Sequence, residues 1–150
     1  MSRCFFIGHR EAPETILPPL ISAVKRHIAE YHVNEFVVGH YGSFDRFAQK
    51  AVMDAKKRFS DVALTILLPY HPSEQAVELP EGADGFLYPE GMERVPKRAA
   101  ISRANRYMIA HSDYLIAFLQ HFGSNTREFV EYAQKREKQG LLKKVTLLEN

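Results

Sequence analysis

Three short stretches carry residue types suited to holding an anion. Gly8-His9-Arg10 follows a short apolar run. A glycine there lets the backbone turn and lets a ligand come close, and an arginine can grip a phosphate or carboxylate through paired hydrogen bonds. In GHYGSFDRFA, residues 39–48, Gly39 and Gly42 precede Ser43 and Asp45 at the start of a helical pattern. The unpaired amides of a helix's first turn attract anions. Asp45 would bind sugar hydroxyls or cap the helix, and His40 and Tyr41 would stack on a ring or wall a pocket. In HFGSNTRE, residues 121–128, Gly123, Ser124, Asn125 and Thr126 bring small polar groups to the start of the last helical pattern. One of them suffices as a cap; the run after a glycine suggests a phosphate cradle.

Other chemistries find less support. The seven histidines show no metal-binding pair at helical spacing. His9, His40 and His121 can meet at strand ends, but pocket or surface roles explain them better, so neither a metal nor a resident cofactor is expected. The single cysteine, Cys4, lies in an apolar run and reads as a small core residue. There is no P-loop, no Gly-x-Gly-x-x-Gly and no Gly-x-Ser-x-Gly elbow. The net charge is only +2, and Lys56-Lys57-Arg58 and Lys135-Arg136-Glu137-Lys138 read as solvated helix ends. Single-stranded nucleic-acid binding is therefore the least favoured reading. No run approaches membrane-spanning length and no leader pattern opens the chain, so a cytoplasmic location is expected.

The elements that must position these stretches alternate regularly. CFFI (4–7), EFVV (35–38), ALTILL (63–68), YLIAF (114–118) and KVTLL (144–148) are apolar strand-like runs. Between them lie helical patterns at 13–31, 44–59, about 97–111 and 126–139. Strands apolar on both faces, separated by helices, predict a parallel sheet covered on both sides. Right-handed crossovers make this a doubly wound, three-layer α/β/α sandwich. Five strands in the order 3-2-1-4-5 are expected, in one domain over residues 1–150. The ligand site would lie at the C-terminal strand ends, between strands one and four. Residues 69–96, with five prolines, break the alternation and read as an irregular flap.

CFFIGHR, VVGHYGSFDRFAQKAV, RANRYMIAHSDYLIAF and GSNTREFVEYA together resemble the SLOG superfamily, which includes DNA-processing protein A and the Lonely Guy enzymes. The small stand-alone, YpsA-like bacterial members are the most similar group. The resemblance spans nearly the whole chain outside the flap. It implies a Rossmann-like fold and a pocket for a nucleotide or nucleotide-derived ligand. Gly8 and Arg10, then Gly39, Gly42, Ser43 and Asp45, then Gly123 to Thr126 would line it. It also implies homodimers.

Enzymatic members cleave the N-glycosidic bond of nucleoside monophosphates with an arginine and a glutamate. Here Thr126 is followed by Glu128 with one residue between them, where their PGGxGTxxE-like signature has two, and its proline and two of its glycines are missing. Ala104 stands four residues before Met108, where those enzymes carry the arginine, with Arg103 and Arg106 on either side. The expectation is thus a nucleotide-binding sensor or accessory protein. The alternative is a hydrolase using Glu128 or Asp45 as acid/base, oriented by Arg103 or Arg106.

Overall fold

The fold is taken from a computed structural model that describes residues 2–120 and 125–149. The strands are β1 (Arg3–Ile7), β2 (Glu35–Val38), β3 (Ala63–Leu67), β4 (Gly85–Leu87), β5 (Tyr114–Ala117) and β6 (Lys144–Leu147). The helices are α1 (Leu17–Ala29), α2 (Ser43–Lys56), α3 (Ala100–Ala110) and α4 (Asn125–Lys138). One sheet holds all six strands in the order β4-β3-β2-β1-β5-β6, every pair parallel.

Alternation along the strands divides the core in two. Cys4, Phe6, Phe36, Val38, Leu64 and Ile66 face one way, toward α1 and α2. Phe5, Ile7, Val37, Leu67, Leu115 and Ala117 face the other, toward α3 and α4. Helix α1 buries Leu20, Val24 and Ile28, one residue per turn. Its Pro18 and Pro19 fall in the first turn, where no intrahelical amide bond is lost. This is the expected Rossmann-like sandwich.

Two expectations change. The five strands read from the sequence take the order 3-2-1-4-5, but a sixth, β4, extends the sheet beyond β3. It lies inside the stretch read as an irregular flap. Three residues among prolines and glycines are too few to show a period, and Phe86 at its centre is exposed. Its register is fixed by Asp84, whose amide donates to the Leu64 carbonyl and whose carboxylate accepts the Leu64 amide at 2.8 Å. Lys56 pairs with the same carboxylate. Among the described residues no helix is long and apolar enough to cross a membrane.

Candidate functional site

Each helix follows a strand and leads to the start of a parallel one, so each begins at the C-terminal rim of the sheet. The positive ends of the helix dipoles collect there. On this rim lies a cavity of about 450 Å³. Gly8, His9 and Arg10 after β1 line it, with Gly39, Tyr41 and Asp45 around the start of α2, and Asn125 and Thr126 at the start of α4. Residues from three separate turns therefore meet. Gly123, Ser124 and His121 lie outside the described residues. The cavity is offset from the expected β1/β5 crevice: the ends of β2 and β3 contribute Gly39 and Leu67, and no β5 residue lines it. Helix α3, which follows β4 at the edge of the sheet, supplies one wall of the cavity.

Asp45 is the acidic residue of the cavity wall. Its Oδ2 accepts the Tyr41 amide at 3.0 Å. Gly39 makes room for it, because a Cβ there would lie 2.6 Å from that oxygen. Burial pushes the Asp45 carboxyl up to about 7, against the opposing pull of the Tyr41 amide and of Arg10. A group poised near neutrality can give or take a proton at physiological pH.

Ser43 has another role than the one expected: it does not line the cavity but fastens two loops together. Its hydroxyl accepts the Ala12 amide at 2.7 Å and lies 2.8 Å from the Arg10 carbonyl, to which it can donate. Its own amide donates to that same carbonyl at 2.7 Å. Gly42 permits the approach. Its φ of 95° is left-handed, and a Cβ would fall 2.6 Å from Arg10 Cα. The Arg10 backbone is thereby fixed while its side chain stays exposed, with the guanidinium 6.0 Å from the centre of the Tyr41 ring.

His40 also lies off the cavity lining. Its Nδ1–H donates to the Leu67 carbonyl at 3.1 Å, and burial holds its pKa below the usual histidine value. His9 does line the cavity. Its Nε2 accepts the Gln120 amide at 2.7 Å, and its ring meets Phe118 edge-on at 5.7 Å. Among the described residues no group of three or more His, Cys, Asp or Glu side chains is arranged to hold a metal ion.

Three of the four candidate catalytic residues fall elsewhere. Glu128 is exposed on α4 and does not line the cavity. Arg103 and Arg106 border a separate hollow with Met92 and Tyr107, and Arg106 lies 5.1 Å over the Tyr132 ring. Residues 103 and 106 lie on a different side of α3 from the cavity-facing ones.

That cavity-facing side was missed in the sequence. Arg98, Ile101, Ser102 and Asn105 line the cavity from the start of α3 and the turn before it. The polar positions 98, 102 and 105 recur at helical spacing beside the buried Ala100, Ala104 and Met108, a detectable but inconspicuous signal. Neither Arg10 nor Arg98 has a carboxylate within ion-pair distance among the described residues.

A strap crosses from one wall to the other. Tyr41 Oη donates to Gln75 Oε1 at 2.8 Å, Tyr70 Oη donates to the Lys97 carbonyl at 3.2 Å, and Lys97 lies 3.7 Å from Glu74. Residues 70–75 thus tie the α2 loop to the start of α3.

Fold and site together define a Rossmann-like α/β domain with a cationic cleft at the C-terminal ends of its strands. No protein-family model and no curated protein matches the chain.

Proposed function

We propose that this domain binds a nucleotide or nucleotide-derived small molecule in the rim cavity and acts as a sensor or accessory protein. One observation carries the reading: Arg10 and Arg98 converge with the first turns of three helices on a single cleft. Helix starts and unpaired guanidiniums both favour anionic groups. The cleft also lies outside the carboxyl ends of parallel strands, where open α/β sheets bind ligands. The SLOG-like sequence elements point the same way.

The test is a thermal-shift screen of nucleoside mono-, di- and triphosphates and of ADP-ribose-type molecules. A ligand of this site raises the melting temperature further as its concentration rises. A flat melting temperature across the panel overturns the proposal.

A second reading, hydrolysis of an N-glycosidic bond, has one observation in its favour. Asp45 lines the cavity with a carboxyl held near 7, suited to general acid/base work. Asp45, rather than the exposed Glu128, would then be the carboxylate. Incubation with nucleoside monophosphates separates the two readings. Free base released by the wild type and lost in Asp45→Asn supports hydrolysis; binding without release supports the sensor.

A further inference from the structure

The proposed ligand has two kinds of wall to meet, and α3 supplies part of each. Helix α3 starts at the rim and runs down the sheet toward the start of β5, so Arg98 lies at the mouth. Asn105 lies about 10 Å further along the helix. The cavity follows it inward: Phe5, Ala104 and Phe129 line it as well as the rim residues. Phe5 precedes the end of β1 by two residues, so the cleft runs between α3 and the sheet rather than stopping at the strand ends.

The inner part is apolar apart from Asn105, and Ala104 is small enough to leave the space open. The outer part is cationic. Arg10 comes from the layer of α1 and α2, and Arg98 from that of α3 and α4. Among the described residues, Arg98, Ser102 and Asn105 make no side-chain hydrogen bond or ion pair. Asn105 is half-buried, and a half-buried carboxamide with unused donors and acceptor is suited to reading a polar edge.

We infer that this row of α3 reads the ligand. Arg98 holds an anionic group at the rim together with Arg10, and Asn105 meets the polar edge of a flat ring inserted between α3 and the sheet. The inference rests on the nucleotide reading and adds to it an orientation, ring inward and anion outward, and two specificity-determining residues. A volume of about 450 Å³ is at the lower end of the range for small-molecule sites, about 300–1,000 Å³. It suits one ring system with one anionic group.

Calorimetry with AMP, GMP, CMP and UMP, their parent nucleosides and ribose 5-phosphate tests this. Arg98→Ala should weaken the preferred monophosphate and ribose 5-phosphate at least tenfold and leave the nucleoside within twofold. Asn105→Leu should alter the ranking of the four bases and leave ribose 5-phosphate unchanged. Asn105→Asp, which keeps the shape but loses the donors, guards against a folding defect. Equal losses for nucleotide and nucleoside in Arg98→Ala, or an unchanged base ranking in both Asn105 variants, overturn the inference. Wild-type binding that is insensitive to these variants refutes the α3 wall alone. Failure of the wild type to bind any of these compounds refutes the nucleotide reading with it.

Discussion

The Asp45 carboxylate rests directly against the backbone of Gly39, where even a methyl group would come within 2.6 Å of Oδ2. The end of β2 and the first turn of α2 are therefore fitted to one another around an ionisable group in the cavity wall. Gly39→Ala should push that carboxyl away and cost about 1–3 kcal/mol, as overpacking does. Urea unfolding measures the loss. In the same variant the Asp45 resonance should titrate closer to the ordinary carboxylate range.

Asp45 also makes stability depend on pH. In the fold it keeps its proton up to about pH 7, whereas an unfolded chain releases it near the ordinary 3.8. The unfolded state then binds fewer protons between those values, so stability falls as pH rises through the window and levels off above it. Asp45→Asn should remove this slope. Allowing for solvent in the cavity, its advantage at pH 8 should be on the order of 2 kcal/mol, and it should vanish below about pH 4. Melting curves across pH 3–8 decide; a constant offset would contradict the raised pKa.

His27 acts in the opposite sense. It is fully buried, its Nδ1–H donates to the Ala23 carbonyl at 2.7 Å, and burial lowers its pKa below 6.5. The unfolded chain takes up the proton first as the solution is acidified. The stability due to neutral His27 is complete above about pH 6.5 and is lost as pH falls through the lowered folded value. His27→Met should flatten that acid limb in urea titrations at pH 5 and 7.5. An unchanged limb would assign it to other groups.

Ser43→Ala breaks the fastening between the β1–α1 loop and α2. The Ala12 amide loses its acceptor, at a cost of about 1–2 kcal/mol. The Arg10 carbonyl keeps the Ser43 amide but loses the hydroxyl, so the loop is held less firmly and affinity for the anionic ligand should fall as well. If stability falls without any change in affinity, the fastening serves the fold alone.

The strap is the weakest of these ties. Glu74 and Lys97 are exposed, and their pair at 3.7 Å contributes little. Tyr41→Phe removes the bond to Gln75. It should change global stability by less than about 0.5 kcal/mol while speeding limited proteolysis within residues 70–83. Protection of those sites by a bound nucleotide would show that the strap closes over the ligand.

Much of this was legible in the sequence because burial on both faces of a parallel sheet leaves uninterrupted apolar runs. CFFI, EFVV and YLIAF needed no finer reading. Strand β4 was hidden because three residues carry no period and its pairing depends on the carboxylate just before it, Asp84, reaching Leu64, 20 residues away in the chain. The cavity loops were legible through glycines at strand ends. Ser43 was misread because a serine at a helix start suits a ligand and a neighbouring loop equally well, and only the position of Ala12 distinguishes them. Arg98, Ser102 and Asn105 escaped because their helix shows a buried face of alanines and methionine, and a polar row beside it looks like ordinary solvent exposure. Glu128 drew attention by following Thr126 closely, yet two positions along α4 turn it away from the cavity that Thr126 lines.

The uniform direction of the strands has a kinetic consequence. Basic side chains cover the closing turns of α1, α2 and α4, with Arg26, Lys56 and Lys135 among them, while the opening turns of α1 and α3 hold no acidic residue. Helices α2 and α4 open on Asp45 and Glu128, of which Asp45 keeps its proton up to about pH 7, so the cavity mouth keeps the positive charge of Arg10 and Arg98. Small anions would be drawn toward this mouth, and their capture rate would slow as added salt shortens the reach of that field.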